Sequence, residues 1–394
     1  MRRLLLALGL LAVLTPAPAP AASGMKTFNV PTGGFAIDLP AGWVDVTKAA
    51  PAVLGQLEKE PSFRAFAQAA SQNAALKLIA ADPAAGGTVY MNVGAARIGP
   101  LSLTQVAGAT AAALKKTLGT TGNVQATAVK LGAGQAYRIH LSKKGSPNET
   151  DEYLLVKDQV EYVIVYVAPH TTWQKHAAAF ASSAKSFHFL TPPNLNKVIL
   201  KGSQVGAGYK LGSFPFGTSF IGEATLDLCA QTYPSEGLRT ARLQVRYTHK
   251  GNSVDVSNEV VRYASGGAKL ALAEVAAVAK ACAAKPEVVK QGTITETYHV
   301  SPLKDPKLAA GAVVVKLSIS VTKGKQHQTQ TGVAIYQIKG DTLSGVYAFV
   351  GKGTTFADAQ RIAFHAAEQS ATNLGIKTGS GSGGKKSGGK GFTA

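Results

Sequence analysis

The chain has 394 residues, of which 45% are apolar and 16% are charged. This composition is typical of compact globular domains and excludes a chain that is disordered over most of its length. Its 41 basic residues outnumber its 22 acidic residues, so that the formal net charge is +19 and any charged partner is expected to be anionic. The length is sufficient for two cores of ordinary domain size.

The first 21 residues have the pattern of a secretory signal peptide. Arg2 and Arg3 precede an apolar run from Leu4 to Leu14, and Ala19-Pro20-Ala21 fits the cleavage pattern of small residues. The run is shorter than the roughly 20 residues that span a bilayer, and no later apolar run is long enough. The sequence therefore predicts a cleaved signal at 1–21 and a secreted, extracellular chain without a transmembrane segment, associated at most with the cell envelope.

Residues 25–190 contain the elements of a first domain. Alternating or continuous apolar residues predict strands over Phe28–Val30, Phe35–Leu39, Val89–Val93, Ala136–Leu141, Tyr153–Val156 and Val160–Val167. Apolar residues at helical spacing predict helices from Leu103 to Leu118 and from about Thr172 to Lys185. The short turns between the last three strands favour antiparallel neighbours.

Three segments of this first domain resemble the PsbP-like family, which also occurs in secreted bacterial proteins. They are the opening stretch from Gly34 to Trp43 (GFAIDLPAGW), the strand Tyr162–Tyr166 (YVIVY) and the helix end Ala184–Phe187 (AKSF). The resemblance covers nearly all of 25–190. It implies an antiparallel sheet flanked by helices and a role in binding or assembly.

A second domain is predicted at 210–376, after a linker at 191–209 in which Pro192 and Pro193 interrupt regular structure. Pro234 and Ser235 mark the start of a helix. Further strands and helices are predicted over Leu243–Tyr247, Val254–Tyr263, Ala268–Ala283, Val313–Val321, Gly332–Ile338, Leu343–Val350 and Thr355–Asn373. Both domains end in three strands and a helix. The predicted fold class is therefore α+β, with two domains that each consist of a mainly antiparallel sheet packed with helices.

The second domain resembles the PknH-like extracellular sensor domain of actinobacterial proteins. The resemblance is carried by Leu226–Cys229 (LDLC), Ser235–Arg239 (SEGLR) and Ser257–Tyr263 (SNEVVRY), and it covers about 210–376. It implies a sensing or ligand-binding role for this half of the chain.

Cys229 and Cys282 are the only cysteines of the chain. A single pair in an exported protein favours a structural disulfide. A redox-active pair is disfavoured because the two are far apart and no C-x-x-C occurs. Cys282 shares a predicted helix face with Val275 and Ala279, which places it inward, towards the segment of Cys229.

Arg239, Arg242 and Arg246 are the candidate ligand-binding residues. Their i, i+3, i+7 spacing would form a basic stripe on one helix, and guanidinium groups bind carboxylates and phosphates. The apolar alternation from Leu243 indicates that the helix ends sooner, in which case the arginines pair with Glu236 or Glu259. An anion site and structural ion pairs both stay open.

No catalytic, cofactor-binding or metal-binding motif is recognisable in the sequence. It contains no G-x-S-x-G elbow, no G-x-x-x-x-G-K-[ST] loop and no H-E-x-x-H pair. Glu149, Asp151 and Glu152 cluster near Lys143 and Lys144, and we interpret them as a solvated hairpin tip, with a paired-carboxylate site as the alternative. We therefore expect a protein that is not an enzyme and that needs no cofactor or metal.

Residues 377–394 form a tail rich in Gly, Ser and Lys, which cannot bury a core and is predicted to be disordered. The tail is either an inert soluble end or an electrostatic tether to anionic wall polymer or lipid head groups. Nucleic acid is not an expected partner for an exported chain.

Taken together, these features predict an exported, non-enzymatic ligand-binding or sensing protein of the bacterial cell envelope. Its ligand would be a small molecule or an envelope-derived one, bound in a cleft. Two alternatives stay open. One is a structural surface protein that its basic tail tethers to anionic polymer, and the other is a hydrolase whose residues meet only in the folded chain.

Overall fold

The computed structural model describes residues 24–71, 73, 75–212, 217–221, 228–231, 233–249, 252–305, 307–308 and 310–377. The predicted signal at 1–21, the Leu226-Asp227 pair and the tail from residue 378 onward lie outside the described residues. The described residues form two compact units that divide between Pro192 and Pro193, apart from Ile221, which belongs to the first unit. Antiparallel sheets packed with helices build the chain, which confirms the predicted α+β class.

The first unit contains a small and a large antiparallel sheet. In chain order its elements are β1 (Met25–Val30), β2 (Phe35–Pro40), β3 (Val44–Asp45), α1 (Pro51–Leu57), α2 (Pro61–Ser71), β4 (Leu76–Ala81), β5 (Tyr90–Arg97), α3 (Leu103–Leu118), β6 (Gly122–Leu131), β7 (Gly134–Lys143), β8 (Asn148–Lys157), β9 (Val160–Pro169), α4 (Trp173–Ser186) and β10 (His188–Phe189). The strand orders are β1-β2-β10 and β3-β4-β5-β9-β8-β7-β6. Both β1 and β3 therefore lie at sheet edges.

Helices cover both faces of the seven-stranded sheet. On one face α3 begins at a capping box between Ser102 and Gln105 and packs Val106 into a cluster with Ile139 of β7. On the other face Phe180 of α4 stacks on Tyr166 of β9, with 4.9 Å between the ring centroids. The alternation of side chains along each strand makes both packings possible in one sheet.

The second unit is built on a single eight-stranded antiparallel sheet. Its elements are α5 (Gly202–Val205), β11 (Tyr209–Leu211), β12 (Arg239–His249), β13 (Asn252–Tyr263), α6 (Gly267–Ala284), β14 (Glu287–Gln291), β15 (Ile294–Pro302), β16 (Val313–Lys323), β17 (Gln326–Lys339), β18 (Thr342–Phe349) and α7 (Phe356–Asn373). The strand order is β11-β12-β13-β18-β17-β16-β15-β14.

The two long helices of this unit lie on opposite faces of the sheet. Val275 of α6 belongs to one buried cluster with Tyr336, whereas Ile362 of α7 belongs to another with Ile335. Because Ile335 and Tyr336 are neighbours in β17, their side chains lie on opposite faces. The α7 N-terminus carries a capping box between Thr355 and Asp358.

Part of the predicted linker at 191–209 is buried in the core of the second unit. Leu195 and Ile199 are buried in a cluster with Val260, and Leu200 and Val205 are buried in the cluster of α7. These residues are apolar and their side chains find core positions in the second unit. That unit thus begins well before residue 210.

Candidate functional site

Arg239, Arg242 and Arg246 lie on strand β12 and not on a helix. Pro234 does open a helical segment, but this segment is a 3-10 helix that ends at Leu238, and the strand begins at the next residue. Arg242 and Arg246 share a sheet face, while a bulge between Arg239 and Ala241 sets Arg239 apart. A helical basic stripe is therefore not formed.

Each of the three arginines contacts a carboxylate or a backbone carbonyl nearby. Arg239 donates from Nε to the Glu236 carbonyl oxygen at 3.0 Å, and burial lowers the pKa of its guanidinium, an effect that Glu236 opposes. Arg242 hydrogen-bonds Glu259 through Nε, and Arg246 hydrogen-bonds Asp255. Arg239 and Arg242 are only 4% and 6% exposed. The ion-pair interpretation accounts for these contacts, and anion binding by the three residues stays a prediction.

A disulfide joins Cys229 to Cys282 in the second unit. Both residues are buried in the cluster that α6 forms with the sheet. The bond therefore ties the segment that precedes Pro234 to the inner face of α6, which is the arrangement expected from the helix pattern.

A connected group of ionisable side chains lies in the first unit, and its pairing with residues of β7 was not predicted. His140 of β7 stands opposite Asp151 of β8, and Arg138 of β7 stands opposite Tyr153, two residues further along β8. The Arg138 Nη2 atom lies 2.8 Å from Asp151 Oδ2, and His140 Nδ1 lies 2.9 Å from Asp151 Oδ1. Glu149 continues the chain of contacts, since it lies 3.6 Å from His140 Nε2 and hydrogen-bonds His170.

This network supplies ionic and hydrogen-bond partners to two carboxylates that the fold removes from water. Asp151 is 1% exposed and Glu149 is 9% exposed, so each needs cationic or hydrogen-bonding partners. The His140 ring also packs against Trp173 at the start of α4 in a tilted arrangement, with 5.5 Å between the ring centroids. The network thus joins the ends of β7, β8 and β9 to α4. A solvated hairpin tip was the wrong interpretation for Glu149 and Asp151.

Glu152 lies on the opposite face of β8, in register with Val165 of β9 and through it with Asn92 of β5. Burial, and secondarily repulsion from Glu161, raises the pKa of Glu152 to about 7. Asn92 is 3% exposed, and its Oδ1 atom has no hydrogen-bond partner among the described residues. Glu152 and Asn92 thus lie on either side of Val165, on the sheet face that also carries Glu161.

A groove with a volume of about 470 Å³ opens between the edge strands β1 and β3 and the start of α1. We call it the Trp43 groove. Its lining comprises Lys26–Asn29, Trp43–Asp45, Lys48–Ala50 and Val53. Trp43 is 5% exposed and packs edge-to-face on Phe180 of α4, with 6.2 Å between the ring centroids. The volume falls within the range of about 300 to 1,000 Å³ that is usual for small-molecule sites.

Among the charged side chains of the Trp43 groove, the acidic one already has hydrogen-bond partners, whereas one lysine is exposed to solvent. Asp45 accepts hydrogen bonds from the Thr47 backbone nitrogen at 3.0 Å and from Lys48 Nζ at 2.7 Å, so its carboxylate is already occupied. Lys26 is exposed, and its Nζ lies 5.6 Å from the centroid of the Phe28 ring. The groove therefore offers an apolar floor beside an ammonium group.

A second groove, of about 540 Å³, runs along the outer face of α7. Its charged groups largely compensate one another, since Lys307 lies 3.9 Å from Glu368 and Arg361 lies 3.8 Å from Asp358. We therefore regard the Trp43 groove as the better candidate for a ligand site.

Neither a metal cluster nor a membrane-spanning helix is found in the described part of the chain. No three His, Cys, Asp or Glu side chains there are arranged to hold a metal ion. No helix there has the length and apolar character needed to cross a bilayer.

Comparison with known proteins shows only weak likenesses. No protein-family model matches the chain, and no curated protein matches it at a significant level. The extracellular domain of PknH from Mycobacterium tuberculosis aligns over 46% of this chain and 98% of its own, with 14% identity and a TM-score of 0.32. The PsbP protein of the cyanobacterium Synechocystis aligns over 45% and 98%, with 12% identity and a TM-score of 0.29. These are the two families that the sequence pattern resembles, and membership in either remains a proposal.

Proposed function

We propose that this protein is an exported, non-enzymatic ligand-binding or sensing protein of the cell envelope, with a PsbP-like domain followed along the chain by a PknH-like domain. The Trp43 groove carries this proposal, because it combines a buried indole, a partly buried phenyl ring and an exposed ammonium group in one concave surface. The signal pattern at 1–21 and the disulfide support export, since disulfides persist in oxidising compartments. A processed chain that begins near Ala22 is the check on export.

The groove chemistry indicates the class of ligand. Phe28, Trp43 and Val53 supply apolar contact, which favours a ligand with an aromatic or aliphatic body. Lys26 supplies the positive charge, while Asp45 is occupied by Thr47 and Lys48. An organic anion with an apolar body is therefore the expected ligand. The neighbouring edge strands add backbone groups that can orient it.

Fluorescence titration with anilinonaphthalene sulfonate, an anion with an apolar ring system, tests the groove. The chain has two tryptophans, so the Trp173→Phe variant leaves Trp43 as the only indole reporter. We expect the probe to quench Trp43 emission. Lys26→Glu should weaken binding about tenfold, because a hydrogen bond to a charged group contributes about 1.5 to 3 kcal/mol.

Lys115→Glu on α3 is the matched control. It makes the same charge change at an exposed lysine that does not line the groove. If the two variants weaken binding equally, the probe responds to net charge and the groove is not its site. If the probe leaves Trp43 emission unchanged, the proposal also fails.

A further inference from the structure

An ordered array of hydroxyl and imidazole groups lies on the outer half of three neighbouring strands of the second unit. Ladder pairing places its members in three rows, of which the middle one is Thr297, Ser320 and Thr329. The full set, here named the hydroxyl array, comprises Thr295, Thr297 and His299 of β15, Ser318, Ser320 and Thr322 of β16, and His327, Thr329 and Thr331 of β17. Seven of its nine members are therefore Ser or Thr.

The array is ordered by contacts among its own side chains. The hydroxyls of Ser320 and Thr329 lie 2.9 Å apart. The two ring nitrogens of His327 lie 3.0 Å from the Thr322 hydroxyl and 3.2 Å from the Thr329 hydroxyl. All nine members are exposed or half-buried. Since each hydroxyl has one donor and two acceptor sites, these contacts leave hydrogen-bonding capacity directed to solvent.

The array begins where α7 stops covering this face of the sheet. Val314 and Val333 are buried in the cluster of α7, and Lys316 lies 4.6 Å from the centroid of the Phe356 ring at the start of that helix. On the opposite face Leu317 is buried in, and Ile319 packs against, the cluster of α6. The strands are therefore held by a core on one side and present the hydroxyls on the other.

Basic residues surround the array and no acidic residue shares its face. Lys290 of β14 is in register with Thr295, Lys316 lies at the α7 end, and Lys323 and Lys325 lie at the turn between β16 and β17. The array-side positions of β14 to β17 contain neither Asp nor Glu. The surface is thus complementary to a negatively charged molecule.

We propose that the hydroxyl array binds an extended polyol-phosphate chain, a polymer of hydroxylated units joined by phosphodiesters. The Ser and Thr hydroxyls would exchange hydrogen bonds with the hydroxyls of the polymer. The surrounding lysines would act as point charges for its phosphates, a role that suits an ammonium group. An extended occupant matches a surface that is three strands wide and open to solvent. The array belongs to the second unit and the Trp43 groove to the first, and this proposal does not depend on a ligand in that groove.

The test compares three polymers by titration with the purified full-length protein. Poly(glycerol phosphate) without acyl chains carries both hydroxyls and charge, inorganic polyphosphate carries only charge, and dextran carries only hydroxyls. The triple variant Thr297→Val, Ser320→Ala, Thr329→Val removes the middle row with little change of shape. Its control is Thr127→Val, which alters an exposed hydroxyl on β6.

We expect poly(glycerol phosphate) to bind and the triple variant to lose about tenfold in affinity, because several hydrogen bonds are removed at once. Thr127→Val should bind poly(glycerol phosphate) as tightly as the unaltered protein. The triple variant should bind polyphosphate as tightly as the unaltered protein. The basic tail is present in every variant, so its contribution cancels. Absence of poly(glycerol phosphate) binding, or unchanged affinity in the triple variant, would overturn the proposal.

A second variant keeps the test decisive if the triple variant unfolds. Lys290→Gln with Lys325→Gln changes two exposed lysines beside the array and leaves its hydroxyls intact. We expect it to weaken poly(glycerol phosphate) binding severalfold and to reduce its salt dependence, whereas Lys130→Gln on β6 should do neither. Equal effects from the two changes, or dextran binding as tight as that of poly(glycerol phosphate), would contradict an anionic occupant at this face.

Discussion

Replacing Arg242 by Met tests whether the arginines of β12 are structural. Arg242 and Glu259 are 6% and 2% exposed, and the guanidinium also donates from Nη1 to the Ser219 carbonyl oxygen at 3.2 Å. The methionine fills much of the same volume but leaves Glu259 without this cationic partner. We therefore expect a large loss of stability in the second unit.

The magnitude follows from burial. Removing one partner of a buried ion pair costs about 3 to 5 kcal/mol, because the remaining charge stays out of water. For a unit of this size that corresponds to a fall in the midpoint of thermal unfolding of roughly 6 to 20 °C. Arg246→Met is the matched control, since Arg246 and Asp255 have side chains that are 46% and 39% exposed. Its cost should be under about 1 kcal/mol.

Far-UV circular dichroism during denaturant and thermal unfolding is the appropriate assay, because both tryptophans lie in the first unit. The double variant Arg242→Met, Glu259→Leu should recover most of the loss, since an apolar pair can replace a buried ion pair at little cost. The reasoning would be refuted if Arg242→Met cost no more than Arg246→Met. Retained stability combined with lost anion binding would favour the ligand-binding interpretation of these arginines.

Two further changes probe each unit separately. The pKa of Glu152, raised from 4.5 to about 7, means that the folded state holds this proton more tightly than the unfolded state. The stabilisation is thus fully present below about pH 4.5 and is lost as the pH rises to about 7. Glu152→Gln should flatten this pH dependence of stability, measured by thermal unfolding followed by tryptophan fluorescence. An unchanged dependence of stability on pH in the variant would refute this prediction. Replacing Cys229 and Cys282 by Ser should lower the free energy of unfolding of the second unit by about 4 kcal/mol. An unchanged unfolding midpoint by circular dichroism would contradict that expectation.

Some parts of the candidate sites can be predicted from the local sequence pattern, and others cannot. The strand that contains Glu149 and Asp151 was predicted to begin only at Tyr153, because the acidic run before Tyr153 has low strand propensity. The ladder with β9 extends the strand to Asn148, and Arg138 and His140 of β7 give the buried Asp151 carboxylate its partners. The matching i, i+2 spacing of Arg138 and His140 was the signal that could have revealed the network.

The Trp43 groove and the hydroxyl array could not be derived from sequence for a different reason. The groove joins residues of β1, β3 and α1, and the helix α1 was not among the predicted elements. The array requires the register of three strands, and β15 was not predicted either. Sequence shows which residues alternate along one strand, but it does not show which residues stand beside them on the next.

What the sequence alone determined are the features written in local order along the chain. The almost wholly apolar run Val160–Val167, the helical spacing of Leu103–Leu118 and the single cysteine pair led to the α+β class and the disulfide, both of which the structure contains. The tertiary structure decided which side chains are buried and which meet. Burial sets whether Arg242 is a partner of Glu259 or a free cation, and strand register sets whether scattered Thr and Ser residues become one surface. Both depend on contacts between residues distant in sequence, and local propensity does not encode those contacts.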